Sequence, residues 1–170
     1  RALDFPVARL ATASDAVEAL QMIRDFNHPR LPTEEQQDKR YDVIRRSNLH
    51  DLGAKICRQW LATESQSVGK LSCSTMIKLI YCLRHSGQLD EALEAADFVL
   101  GRGPGTILSQ AQKAIVATQK AAVLLDLYEI RRDPAFLQDA RKFAAMSYAI
   151  SQSEEASAVY RRLKMFEGGA

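Results

Sequence analysis

No apolar run in the chain approaches the roughly 18 residues that a membrane-crossing helix requires, so no such helix is expected. The opening residues, Arg1-Ala2-Leu3-Asp4-Phe5-Pro6, lack the short apolar region of a secretory signal. An excess of one charge is missing too. The 23 basic and 21 acidic residues leave a net charge of +2, too balanced to make nucleic acid or an anionic membrane the obvious partner. Cysteine is scarce: Cys57, Cys73 and Cys82 only. The number is odd and no pair has CxxC spacing, which argues against a disulfide framework or a zinc site. At about 100° per residue, Cys73 and Cys82 fall on opposite faces of one helix. All three are expected to be buried apolar thiols in a reducing cytosol.

Catalytic patterns are absent as well. No nucleophile stands beside a base, and the stretch 101–105, Gly-Arg-Gly-Pro-Gly, has neither a preceding strand nor the following Lys-Ser/Thr of a phosphate loop. It reads as a turn. His28, His50 and His85 are isolated in sequence, and the expectation is that they lie apart with no metal between them. The paired carboxylates Glu34-Glu35 and Asp90-Glu91 sit in first turns of helices, where acidic residues complement the helix dipole. Basic pairs, such as Arg45-Arg46, Arg131-Arg132 and Arg161-Arg162, have acidic residues close by and read as solvated helix faces with i,i+4 pairs. No catalytic residue, metal ligand or cofactor is assigned, and an enzyme is the least favoured class.

What is present is helical periodicity along nearly the whole chain. Of its 170 residues, 46% are apolar and 26% charged, ordinary values for a globular protein. No segment alternates as a strand would. The pattern predicts six or seven helices and an all-α fold. The first covers about 14–26, capped by Thr12 or Ser14, with Ala16, Val17, Leu20 and Ile23 as its apolar stripe. Thr33-Glu34-Glu35-Gln36 is a capping box that opens a charged second helix to about 46. A third starts at Asn48 and Asp51 and runs to about 63, with Leu49, Leu52, Ile56 and Trp60 as its stripe. A polar loop over 64–69 precedes a fourth, about 70–85, apolar on most sides. Gly87 supplies a left-handed turn residue, and a fifth helix covers 89–100. Beyond the glycine-rich break, a long sixth helix runs over about 107–131, with Ala111, Ala114, Ile115, Ala121, Ala122, Leu125 and Tyr128 as its apolar positions. Asp133 and Pro134 cap and start a seventh. Ser151-Gln152-Ser153-Glu154 reads as a further capping box that opens a last helix, and 167–170 is expected to fray.

The segment 76–104, with its turn Ser86-Gly87-Gln88-Leu89-Asp90-Glu91-Ala92, resembles a tetratricopeptide repeat. Gly87 falls on the turn glycine, Leu89 on the first large position of the second helix, Ala92 on its small position and Pro104 on the closing proline. Ile80 and Leu83 depart from the small residue and the tyrosine usual in the first helix. Leu137, Ala140 and Ala144 follow the same logic, although Ala92 and Ala140 are 48 residues apart where the repeat wants 34. The resemblance covers about 70–166, with 153–166 as a capping helix, and leaves the first 65 residues unassigned.

The resemblance implies stacked antiparallel hairpins in a right-handed superhelix, forming one all-helical domain over 1–170 with parts at 1–65 and 70–166. It implies a protein- or peptide-binding module, a scaffold or regulatory domain of a larger cytoplasmic protein. The start at Arg1 is read as that of a fragment. Groove positions of the family map to Ser74, Ile77, Tyr81 and Arg84, and on the sixth helix to Lys120, Tyr128 and Arg131. Family members that grip acidic C-terminal peptides carry lysine and asparagine where this chain has Ile77 and Tyr81, so that specificity is not expected. The alternatives are a nucleic-acid-associated accessory domain of a helicase or nuclease, and a structural dimerisation domain.

Overall fold

The computed structural model describes residues 13–28, 30–68, 73–101 and 108–168. Among these residues the only regular structure is helix, formed eight times: α1 (Ala13–Asn27), α2 (Glu34–Arg46), α3 (His50–Val68), α4 (Cys73–His85), α5 (Leu89–Leu100), α6 (Gln110–Arg131), α7 (Pro134–Ile150) and α8 (Glu154–Gly168). The all-α expectation holds. The count exceeds six or seven, although each helix has its counterpart in the segments set out above. The expected cap Thr12, the expected α4 start at Lys70, the 102–107 break with Pro104, and 169–170 lie outside the described residues.

Local signals placed most of the ends. Thr33 and Gln36 form the capping box of α2. Asp133 caps α7 with Pro134 in its first turn. Gly87 has φ +79°, the left-handed conformation expected of it. Three ends differ. α3 continues through Val68, so 64–68 is helix and not loop. α6 opens later than expected, at a capping box that Ser109 forms with Gln112. At α8 the capping oxygen belongs to Ser153, which accepts from the Ala156 N–H at 3.1 Å. The α2 stop is a Schellman turn: Asn48 sits at φ +52°, the Leu49 N–H donates to Ile44 C=O, and the Asn48 N–H donates to Arg45 C=O.

The chain divides into two compact units, Arg1–Ser86 and Gly87–Ala170. The boundary falls at the turn that the repeat resemblance places within one hairpin. In the first unit α3 packs along α4, and α1 and α2 pack on one another and on α3. Its core holds Met22, Val43, Ile44, Leu49, Ile56, Trp60, Leu79, Ile80 and Leu83. α1 is rolled relative to expectation. Val17 and Leu20, assigned to its buried stripe, are 66% and 68% exposed, while Ala19 and Met22 are buried. The physical reason lies in α2. Arg40 is only 1% exposed and pairs with Asp25 at 2.7 Å, and Arg46 pairs with the buried Asp15 at 2.7 Å. Satisfying these cations turns the Asp15–Ala19–Met22–Asp25 face of α1 inward, because an unpaired buried charge costs more than exposing two aliphatic side chains.

In the second unit α6 is central. It packs on α5, α7 and α8, and α7 also packs on α8. Ala121, Leu124, Leu125, Ala140, Ala144 and Leu163 form a fully buried cluster, rimmed by Leu93, Phe136, Leu137, Phe143, Val159, Tyr160 and Phe166. The alanines let the α6 and α7 backbones approach closely. Ala92 is completely buried, as expected of a small packing residue. Within its own unit the helix that carries it, α5, pairs with α6. Ile115 was placed on the α6 stripe but is exposed.

Candidate functional site

The family-derived positions Ser74, Ile77, Tyr81 and Arg84 share one face of α4, within an arc of about 80° at 100° per residue. All four are half-buried. Ser74 accepts a hydrogen bond from Lys78 Nζ at 2.7 Å, and that ammonium also pairs with Asp38 of α2 at 2.9 Å.

Tyr81 is the centre of a larger arrangement. Tyr41 and Arg45 lie one turn apart on α2, as Tyr81 and His85 do on α4. The Schellman turn at Asn48 delivers His50, the first residue of α3, beside them. The Tyr41 and Tyr81 rings meet edge to face, with centroids 5.6 Å apart and planes at 83°. His85 lies 4.1 Å from Tyr81, and His50 lies 5.6 Å from Tyr81 and 5.1 Å from His85. The Arg45 guanidinium sits 5.4 Å from both tyrosine ring centroids, a double cation–π contact. Arg45 and His85 are exposed, whereas His50, Tyr41 and Tyr81 are half-buried.

Burial raises the Tyr41 phenol above its ordinary value, with Cys82 adding to the effect and Arg45 opposing it, so Tyr41 remains a hydroxyl at any physiological pH. Burial also lowers the His50 imidazole; Asp51 works against this and Arg45 with it. His50 is therefore a neutral ring at pH 7, and its buried Nδ1 has no hydrogen-bond partner among the described residues. The cluster presents π-faces, one exposed guanidinium and polar ring edges. Chemically it suits an apolar or planar group accompanied by a hydrogen-bond acceptor.

The expectation that the three histidines lie apart fails for two of them. His50 and His85 converge because α3 begins where α4 ends, a juxtaposition invisible to sequence spacing. His28 is exposed in the turn after α1. Among the described residues no group of three or more His, Cys, Asp or Glu is placed to hold a metal ion.

The α6 positions are engaged within the second unit. Lys120 pairs with Asp97 and lies 3.9 Å from the Phe143 centroid. Tyr128 meets Phe166 edge to face at 5.3 Å. Arg131 makes a bidentate pair with Asp90, at 2.9 and 2.6 Å, which holds the Asp90 carboxyl below its ordinary range. These side chains tie α6 to α5, α7 and α8. Of the basic groups, Lys39 makes the expected i,i+4 pair with Glu35, whereas Arg162 reaches from α8 to Asp126 and Glu129 of α6.

Sequence reasoning found Tyr81 but missed Tyr41, Arg45, His50 and His85 as its companions. The pairs Tyr41/Arg45 and Tyr81/His85, each at i,i+4, were the available signal. Among the described residues no helix is long and apolar enough to cross a membrane. No protein-family model, curated protein or solved structure matches the chain.

Proposed function

We propose that this chain is a protein- or peptide-binding module, a scaffold or regulatory domain of a larger cytoplasmic protein, whose hairpins stack in the manner of tetratricopeptide repeats. The observation that carries the reading is the cluster of Tyr41, Tyr81, His50 and His85 with Arg45, gathered around the helix face to which the resemblance assigns the groove. Tyrosine and arginine dominate binding energy at interfaces, because they offer large, rigid contact area together with a polar handle. Ile77 beside them provides an apolar wall. A partner inserts an apolar or aromatic side chain here and offers an acceptor to Arg45. The buried small residues Ala92, Ala96, Ala140 and Ala144 and the positive φ of Gly87 support repeat-like stacking.

The test is selection of a displayed random-peptide library against the full chain, followed by calorimetry of synthetic peptides. Selected peptides should share an apolar anchor and lose at least about tenfold in affinity, about 1.4 kcal/mol, on Tyr81→Ala. Recovering no binder, or binders indifferent to both Tyr81→Ala and Arg45→Ala, would sink the reading.

Two observations favour rivals. The same rings under an arginine suit stacking of single-stranded bases, which supports a nucleic-acid-associated accessory domain. An oligonucleotide bound with affinity that falls steeply with salt would favour it. The exposed Val17 and Leu20 of α1 support a dimerisation domain, for which the mass in sedimentation would rise with concentration.

A further inference from the structure

Arg45 is held by aromatic rings and not by an acid. Its guanidinium carbon lies 5.4 Å from the Tyr41 centroid and 5.4 Å from the Tyr81 centroid. Its chain neighbour Arg46 pairs with Asp15 at 2.7 Å. Lys78, whose ammonium lies 5.7 Å from the Tyr41 centroid, pairs with Asp38 at 2.9 Å. Arg45 itself makes no hydrogen bond or ion pair among the described residues. A cation–π contact engages the charge and leaves the five N–H donors of the fork open. Holding a long side chain in this way also removes, before any partner arrives, part of the rotamer entropy that binding would cost. Beside the fork stand the Tyr81 and His85 rings, 4.1 Å apart, with Ile77 one turn before Tyr81 on α4.

We propose that Arg45 selects the partner of this site: a peptide segment that sets an Asp or Glu carboxylate beside an aromatic or large apolar anchor. The inference rests on the peptide-binding reading and specifies the class of peptide. The anchor lies on the Tyr81 and His85 rings against Ile77, and the carboxylate accepts two N–H bonds from the Arg45 fork. The guanidinium and the Tyr81 ring are only 5.4 Å apart, so both partner groups come from one face of the segment. Those are positions i and i+2 of an extended chain, or i and i+3 or i+4 of a helix.

The surrounding charge favours a single carboxylate over a phosphate or a polyanion. Asp42 follows Tyr41 on α2 and Asp51 follows His50 on α3, and both are exposed. The field of Asp51 reaches the His50 ring, where it opposes burial and Arg45. Each of these carboxylates repels a dianion twice as strongly as a monoanion. On α4 the flanking cation is Arg84, which is half-buried. With Lys78 and Arg46 each matched by an aspartate, the neighbourhood is close to neutral. A polyanion drawn by counterion release needs several unpaired cations along its backbone. A carboxylate needs one fork in contact, and the shielding that the rings provide strengthens that contact.

The experiment uses the full chain and synthetic peptides taken from a displayed random-peptide selection. Selected sequences should be enriched in Asp or Glu at those spacings from the anchor. For the tightest peptide, replacing that acid by its amide should weaken binding about tenfold or more in calorimetry, as expected for a hydrogen bond to a charged group. Arg45→Gln should weaken the acidic peptide by the same factor and leave the amide peptide unchanged. A purely structural role for Arg45 would not give that non-additivity. Circular dichroism checks that the variant keeps its helices, and the comparison of acid with amide on the native chain needs no variant. Binders that lose tenfold on Tyr81→Ala yet tolerate the amide would overturn this inference and leave the peptide-binding reading in place. Tighter binding when phosphoserine replaces the acid would overturn it too, since a dianion would then be preferred. So would an oligothymidylate that binds more tightly than every selected peptide. Recovering no binder removes the reading on which the inference rests, and the inference with it.

Discussion

Gly53 shows how one residue can carry an interface. It is a glycine in the first turn of α3, where propensity alone disfavours it by up to about 1 kcal/mol relative to alanine. Its value lies in what occupies the missing β-carbon's space: Ile44 and Cys82, both under 3 Å from that point. Gly53→Ala should therefore destabilise the chain by about 1–3 kcal/mol despite the better helix propensity, read as a lower urea midpoint at unchanged slope. An unchanged or raised midpoint would mean that the seam can relax. His50 makes a pH prediction. In the unfolded chain it ionises near 6.5, and in the folded chain only at lower pH, because its ring is partly buried near Arg45. As pH falls through 6.5 the unfolded chain binds a proton that the folded chain does not, so stability is lost from there down to the folded value and not beyond it. Melting temperatures on acidification from pH 7.5 should show this loss (~pH 6.5 downward), and His50→Gln should flatten it. An identical pH profile in the variant would refute the role given to His50.

At the scale of elements, the contrast between α1 and α7 is instructive. α7 behaves as its pattern promised, with Ala140 and Ala144 buried and Phe136, Leu137 and Phe143 at the rim of the core. α1 does not follow its pattern, since Arg40 and Arg46 claim the carboxylates on its other side. Arg40→Met should cost about 3–5 kcal/mol, because it leaves Asp25 buried without its cation. Lys39→Met, one position away at an exposed i,i+4 pair, should cost under about 0.5 kcal/mol. Chemical denaturation of both variants checks the contrast; equal effects would show that the buried pair contributes no more than the surface one. Periodicity identified α1 as a helix but chose the wrong face. An aliphatic stripe counts area, whereas a buried guanidinium sets a larger electrostatic demand that comes from another helix.

For the whole molecule, the division at Ser86 and Gly87 has an experimental consequence. The unit Gly87–Ala170 holds a core of its own in Ala121, Leu124, Leu125, Ala140, Ala144 and Leu163. Expressed alone, it should give a helical circular dichroism spectrum and one cooperative thermal transition. A fragment that stays unfolded while the intact chain is folded would show that its core is insufficient. Small domains are marginal for just this reason, since they bury a lower fraction of their surface.

The amino-acid order alone determined that the chain is helical, where most helices start and stop, and which small residues pack. These properties rest on interactions within a few residues: capping oxygens at Thr33 and Asp133, a left-handed glycine at Gly87, alanines repeating with the helix turn at Ala140 and Ala144. The tertiary structure decided the rest. It turned the apolar stripe of α1 outward, brought His50 and His85 within 5.1 Å, gathered Tyr41 and Arg45 around Tyr81, and set the Cys82 sulfur against Gly53. Each of these depends on how two or more helices cross. Crossing is governed by side-chain volume and buried charge contributed from distant parts of the chain, as at Gly53 and Arg40, and spacing along one helix carries no information about its neighbour.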